Sequence, residues 1–130
     1  MDNEYFQPRR SFIFMPGVSP DRFPKALATG ADIVCIDLED AIAPNLKQEA
    51  RERTRELLEA PQAKDGVERI VRINCLRTAD GMADVQSAIA SPAAPPALML
   101  PKVVSPGEVK ALDELLSEHD MLTRLHVIIE

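Results

Sequence analysis

Five short apolar runs recur along the chain, and amphipathic patterns with helical spacing occupy the four intervals between them. The runs are Ser11–Met15, Asp32–Leu38, Arg69–Asn74, Ala97–Leu100 and Leu125–Ile129. Strands that alternate with helices in this way predict parallel strands joined by right-handed crossovers. We therefore expect an α/β fold with one parallel sheet.

Capping residues predict where the four helices begin. The first helix is expected to start between Ser19 and Phe23, and Asn45 and Asp80 are the predicted caps of the second and third. Ser105 opens a Ser-Pro-x-Glu capping box for the fourth helix.

Two architectures fit this order of elements. A doubly wound domain of flavodoxin type has about this length, but its central strands are apolar on both faces. Here Asp37 and Glu39 are predicted to share one strand face, and so are Arg72 and Asn74, while Glu130 ends the fifth strand. The mouth of a barrel provides one polar site for such residues. The pattern thus favours a parallel (β/α)8 TIM-type barrel, with residues 1–130 as its N-terminal part, β1 to β5.

Composition excludes several other classes of protein. The net charge of −6 argues against nucleic acid or an anionic membrane as the partner. No apolar run approaches the roughly 20 residues of a membrane span, and Met1–Arg10 lacks the apolar segment of a signal peptide. Cys35 and Cys75 have no CxxC spacing and suit reduced thiols in the cytoplasm.

Charged residues at strand ends are the candidates for chemistry. Arg72 lies in mid-strand, where its guanidinium suits a substrate carboxylate or developing enolate oxygen, or else a salt bridge to Asp37 or Glu39. The cluster Asp37–Asp40 either positions a ligand or forms a turn. Lys102 either balances these carboxylates or is a solvated loop residue.

Three further charged residues have both a functional and an ordinary interpretation. Glu130 ends an apolar strand, where its carboxylate suits Mg²⁺ or is a strand-end residue. Arg22 and Lys25 follow the first strand, where basic groups near a helix start can hold phosphate or simply face solvent.

Together the segments form an ordered set that spans nearly the whole chain. They are Arg10–Gly17, Pro20 with Arg22 and Lys25, Gly30–Asp32, Asp37–Pro44, Lys47 with Ala50 and Arg51, Val71–Asn74, Leu100–Val103 and Ile128–Glu130. This set resembles the citrate lyase beta subunit-like CoA-ester lyases, a family that includes malyl-CoA and citramalyl-CoA lyases. The resemblance implies a Mg²⁺-dependent carbon–carbon lyase on a (β/α)8 barrel, acting on a CoA thioester and a small keto acid. It also implies a homo-oligomer, a trimer or hexamer.

The resemblance also implies a role for each candidate residue. Arg72 matches the arginine that contacts the bound acid and the reacting oxygens, and Glu39 and Asp40 match acidic residues that order the site. Glu130 matches one of two acidic metal ligands. Arg22 and Lys25 lie in the segment that contacts CoA phosphates.

The chain departs from the family pattern after its fifth strand. The second metal-binding Asp of the family lies on the next strand, so we expect this chain to be part of a longer protein. An intact mass near 14.3 kDa for a folded, soluble monomer would contradict that expectation. Two alternatives remain: an inactive lyase-like subunit, and a phosphoacceptor receiver domain, whose acidic pair should instead follow the first strand.

Overall fold

Each apolar run of the sequence forms a strand, and the strands alternate with helices as expected. The computed structural model describes residues 8–60 and 66–130. The strands are β1 (Phe12–Pro16), β2 (Ile33–Asp37), β3 (Glu68–Arg72), β4 (Ala97–Leu100) and β5 (Arg124–Val127). The helices are α1 (Phe23–Leu27), α2 (Lys47–Glu59), α3 (Ala79–Ala90) and α4 (Pro106–Glu118).

The five strands lie in one parallel sheet in the order β1-β2-β3-β4-β5. A flavodoxin-type or receiver domain has the order 2-1-3-4-5, so the doubly wound alternative is wrong. Sequential right-handed crossovers bring every helix to the same face of the sheet. This one-sided arrangement is that of a (β/α) barrel and confirms the predicted fold class.

Apolar side chains bury both faces of the sheet, but only one face packs against helices. The helix-facing cluster joins strand residues to buried residues of all four helices. Its members include Val34, Ile36, Val71, Ile73, Leu98, Ala26, Ala50, Val85, Leu112 and Leu116. The opposite face has a smaller cluster of Ile33, Cys35, Ile70, Ala97 and Met99, with Ile128 packed against it.

The sheet is strongly curved toward this second face. Phe12 of β1 and His126 of β5 meet edge to face, with ring centroids 6.4 Å apart, although their strands are not neighbours. This concave face is the interior side of the barrel arrangement.

Burial, and the nearby Asp37 charge, raise the pKa of the Cys35 thiol to about 12, so that thiol stays protonated.

Two helix caps differ from those predicted. Thr78, not Asp80, caps α3, and its hydroxyl accepts the Gly81 N–H at 3.0 Å. Asn45 lies inside a 3-10 turn, Pro44–Leu46, that delays the start of α2.

The capping box of α4 is only partly formed. Ser105 is at the N-cap position, but its side chain makes no capping hydrogen bond. Glu108 accepts the Val104 N–H at 2.8 Å, one residue earlier than in a full capping box.

No helix in the described part of the chain has the length and apolar character that crossing a membrane requires.

Candidate active site at the carboxyl ends of the strands

Charged side chains from the ends of four strands converge at one edge of the sheet. Asp37 ends β2 and Arg72 ends the neighbouring β3, where the two residues are in register. Lys102 follows β4, and Glu130 follows β5. In parallel (β/α) folds this edge is where active sites are built.

Arg72 and Asp37 form a two-point ion pair at the centre of this edge. Nε of Arg72 donates to Oδ1 of Asp37 at 2.8 Å, and Nη2 donates to Oδ2 at 2.6 Å. Asp37 is 1% exposed, and it also accepts the backbone N–H groups of Glu39 and Ala41. Burial alone would raise the pKa of Asp37, but these hydrogen bonds lower it below its ordinary value.

The salt bridge considered for Arg72 is therefore present, and it leaves part of the guanidinium available. An arginine carries five N–H groups, and Asp37 accepts two of them. Nη1 lies 3.6 Å from Oε1 of Glu39, and the guanidinium stacks 4.9 Å from the Phe14 ring centroid. Asp37 thus orients a guanidinium whose other donors can face a bound acid.

Lys102 balances the negative charge of the acidic cluster, which is the first of the two roles expected for it from the sequence. Its ammonium donates to Oε2 of Glu39 at 2.9 Å and lies 3.6 Å from Oδ1 of Asp40. The hydrogen bond to Glu39 raises the pKa of Lys102. Glu39 is buried, whereas Asp40 is exposed at the rim of the site. Glu39 therefore has a cation on each side, Arg72 and Lys102.

Glu130 is the candidate metal ligand at this edge. It is exposed, and its Oε2 accepts the backbone N–H of Lys102 at 2.8 Å. Within residues 8–60 and 66–130, no group of three or more His, Cys, Asp or Glu side chains is placed to hold a metal ion. Mg²⁺ commonly takes only one or two protein carboxylates and completes its shell with water and substrate oxygens. One oriented strand-end carboxylate fits that mode of binding.

The structure places Arg22 and Lys25 apart from the polar cleft. Both are exposed, Arg22 in a 3-10 turn and Lys25 in α1. The cleft beside Glu39, Asp40 and Lys102 is lined instead by residues that follow β2, β3 and β4, and Arg22 and Lys25 are not among them.

A buried polar network behind the cleft was not anticipated from the sequence. This network shows that the predicted position of Asn74 is wrong. Asp84 of α3 accepts the backbone and side-chain N–H groups of Asn74, each at 2.7 Å, and Arg51 of α2 at 3.0 Å. Asn74 also donates to the Leu38 carbonyl at 2.9 Å. Asn74 therefore does not share the concave face with Arg72, because β3 ends at Arg72 and the chain then turns toward α3.

This network joins the loops that carry the site. Lys47 donates to the carbonyls of Leu38 and Glu39 at 2.9 and 2.6 Å, directly after β2. Burial raises the pKa of Asp84, against the effect of its hydrogen bonds from Asn74 and Arg51. The one sign of this network in the sequence was an acidic residue, Asp84, within the amphipathic pattern of α3.

Comparison with known proteins gives the same fold and family. The chain is 32% identical over 119 residues to mitochondrial citramalyl-CoA lyase of Rattus norvegicus, a match that covers 92% of the chain and 35% of that protein. It superposes on RipC from Yersinia pestis with a TM-score of 0.72 and 31% identity, over 95% of this chain and 47% of that one. CitE from Mycobacterium tuberculosis, solved with magnesium, acetoacetate and coenzyme A, gives a TM-score of 0.65 at 34% identity, over 81% and 38%.

The chain spans about a third of the length of the curated relative that it matches. The family model for the HpcH/HpaI aldolase/citrate lyase family matches residues 10–128, nearly all of the chain. This match includes Asp37 of β2, Arg72 of β3 and Lys102 in the loop after β4. The chain belongs to the HpcH/HpaI aldolase/citrate lyase family.

Proposed function

We propose that the protein containing this chain is a Mg²⁺-dependent lyase that cleaves, or forms, a carbon–carbon bond in a 3-hydroxyacyl-CoA. Candidate substrates are malyl-CoA, citramalyl-CoA and citryl-CoA. The observation that carries the proposal is the Arg72 guanidinium, which Asp37 fixes beside Glu39 at the carboxyl edge that also carries Lys102 and Glu130. Family membership and the magnesium, keto acid and coenzyme A bound to CitE support the same reaction class.

The reaction breaks the bond between the hydroxyl-bearing carbon and the carbon next to the thioester carbonyl. The hydroxyl gives up its proton to a base, its carbon becomes the carbonyl carbon of the keto acid, and the electron pair of the broken bond passes to a thioester enolate. Protonation of that enolate releases the acyl-CoA. Negative charge therefore develops on oxygen atoms, and preorganised donors are the groups that stabilise such charge.

The residues of the chain suit the positioning part of this chemistry. Arg72 would bind the carboxylate of the acid portion, or a developing oxyanion, through the N–H groups that Asp37 does not use. Glu39 and Asp40 would order the site through Lys102 and Arg72. Mg²⁺, held in part by Glu130, would supply Lewis-acid stabilisation of the same oxygens when bound.

Contacts beyond the cleft belong to the same proposal. Arg22 and Lys25, both exposed after β1, would contact the phosphates of CoA. The free thiols Cys35 and Cys75 suit a reducing, cytoplasmic location.

We also propose that residues 1–130 are the N-terminal part of a single barrel domain, and that the protein is a homo-oligomer, a trimer or hexamer. Two large apolar side chains are exposed, Phe14 at 45% and Ile129 at 89%. Further strands beside this sheet would cover such apolar surface, which supports the barrel proposal. An open parallel sheet with such a surface is stabilised when further βα units complete the barrel.

Glu130→Gln in the whole protein tests the proposal. This variant should lower turnover of citramalyl-CoA or malyl-CoA by orders of magnitude and weaken Mg²⁺ binding, because a neutral amide is a poor ligand for a hard cation. Glu114→Gln, the same change at an exposed position of α4, is the matched control and should behave like the unsubstituted protein.

Measuring the keto acid and free CoA separately distinguishes the possible outcomes. A lyase releases one keto acid per acyl-CoA, whereas thioester hydrolysis releases free CoA without a keto acid. Turnover that survives Glu130→Gln would refute the role of Glu130. No turnover of any of the three thioesters by the unsubstituted protein would favour the inactive, lyase-like subunit.

A further inference from the structure

Lys102 has a backbone conformation that residues with a side chain rarely adopt. Its φ is 54°, in the left-handed region, and it directly follows β4 at the candidate active site. A lysine in this region is strained, and such strain persists only where the surrounding structure holds it. The position therefore requires a local explanation.

Three hydrogen bonds hold Lys102, each to the segment that follows a different strand. Its backbone N–H donates to Oε2 of Glu130 at 2.8 Å, and its carbonyl accepts Nη2 of Arg77 at 2.8 Å. Its ammonium donates to Oε2 of Glu39 at 2.9 Å. Lys102 thus links the residues that follow β2, β3 and β5.

Arg77 is itself anchored, which makes the arrangement at Lys102 more rigid. Nε of Arg77 lies 3.0 Å from Oε1 of Glu108, at the start of α4. Oε2 of Glu108 accepts the Val104 N–H, so the same carboxylate also holds the loop that follows Lys102. The Arg77–Glu108 pair therefore fixes both the carbonyl of Lys102 and the chain direction after it.

We propose that Lys102 is a positioning residue with two separable roles, an inference that rests on the function proposed above. Its left-handed backbone conformation orients the Glu130 carboxylate, so that Oε2 accepts the Lys102 N–H and the other carboxylate oxygen is free to bind a divalent cation. Its ammonium neutralises Glu39 and keeps that carboxylate beside Arg72. One strained residue thereby sets both a candidate metal ligand and the charge around the candidate acid-binding arginine.

Two substitutions at Lys102 separate the backbone role from the charge. Lys102→Asn and Lys102→Val both remove the ammonium, but asparagine tolerates the left-handed region and β-branched valine does not. Mn²⁺ binding to the whole protein without substrate, followed by electron paramagnetic resonance, measures the orientation of Glu130. Lys102→Val should bind Mn²⁺ about tenfold more weakly than Lys102→Asn, the loss typical of removing a group that orients a ligand.

Arg77→Gln tests the same inference if Lys102→Val does not fold, as circular dichroism would show. It removes the guanidinium that donates to the Lys102 carbonyl and pairs with Glu108, while leaving Lys102 itself intact. Mn²⁺ affinity should again fall several-fold, by the same loss of orientation. Unchanged affinity in Arg77→Gln, or equal affinities in the two Lys102 variants, would overturn the backbone role.

Turnover measures the second role. Lys102→Asn should lower kcat more than it changes Mn²⁺ affinity, and Lys102→Arg should recover part of that kcat by restoring a cation beside Glu39. A kcat in Lys102→Asn equal to that of the unsubstituted protein would overturn the charge role. Failure of the unsubstituted protein to bind Mn²⁺ would instead overturn the proposed metal site, and this inference with it.

Discussion

The ion pair between Asp37 and Arg72 yields the sharpest prediction, because Asp37→Asn removes hydrogen bonds whichever way the new amide is turned. Oδ1 of Asp37 accepts Arg72 Nε and the Glu39 N–H, and Oδ2 accepts Arg72 Nη2 and the Ala41 N–H. An asparagine has one acceptor oxygen and one donor NH₂ group. In either orientation its NH₂ therefore faces one guanidinium N–H and one backbone N–H.

The expected cost follows from these two lost contacts. A hydrogen bond to a charged group contributes about 1.5 to 3 kcal/mol, and a buried donor left without a partner costs about 1 to 3 kcal/mol. Glu39, 3.6 Å from Nη1 of Arg72, keeps the cation paired and places the sum near the lower end, about 3 kcal/mol. For a domain of about 150 to 250 residues this corresponds to a fall in Tm of roughly 6 to 12 °C.

Urea unfolding of the whole protein, followed by circular dichroism, measures the loss as a lower midpoint with an unchanged slope. Asp32→Asn is the matched control, since Asp32 also accepts two nitrogens of an arginine side chain, Arg10. That side chain is 80% exposed, so water replaces the lost contacts and the effect should be small. Equal losses in the two variants would refute the importance of burial at Asp37.

Three further predictions concern the site and its supports. Arg72→Lys should lower kcat/KM about 100-fold, because an ammonium lacks the planar fork that binds both Asp37 oxygens and has three N–H donors where the guanidinium has five; near-normal kcat/KM would contradict this. Gly81→Ala should destabilise the protein, because its Cβ would lie 2.0 Å from the Cys75 carbonyl oxygen, whereas Gly107→Ala, with 3.7 Å to its nearest neighbour, should not; equal unfolding midpoints would contradict this. Burial lowers the pKa of His126 below 6.5, so the folded state resists its protonation, and stability should fall as pH drops below about 6.5. His126→Gln should flatten that part of the stability–pH curve, and an unchanged curve would show that His126 does not cause it.

The sequence was sufficient to predict the order of elements and the edge at which the charges meet. The alternation of apolar runs and helical patterns requires parallel strands, and their carboxyl ends necessarily share one edge. This places Arg72 near Asp37 and Glu39 without any knowledge of distances. It also leaves open whether Arg72 contacts those carboxylates or a ligand, and the structure shows the contact with Asp37.

Features that depend on where a strand ends or a helix begins could not be predicted in the same way. Alternation along β3 placed Asn74 on the face of Arg72, but the strand ends two residues earlier and Asn74 turns to Asp84. Similarly, Asp80 is an acceptable cap by residue type, but it lies near Arg51 of α2, and Thr78 caps the helix instead. The first outcome depends on the contact between Asn74 and Asp84, and the second is accompanied by an ion pair between Asp80 and Arg51 of α2, which lies 29 residues earlier.

The sequential order of the strands also has a consequence for how the chain folds. Within this sheet, each strand from β2 to β5 pairs with the strand that precedes it in the sequence, so none of these four pairings waits for a strand made much later. Loop closure is then short at each of these steps, which keeps its entropic cost low. A nascent chain with this order can extend its sheet one βα unit at a time as it leaves the ribosome.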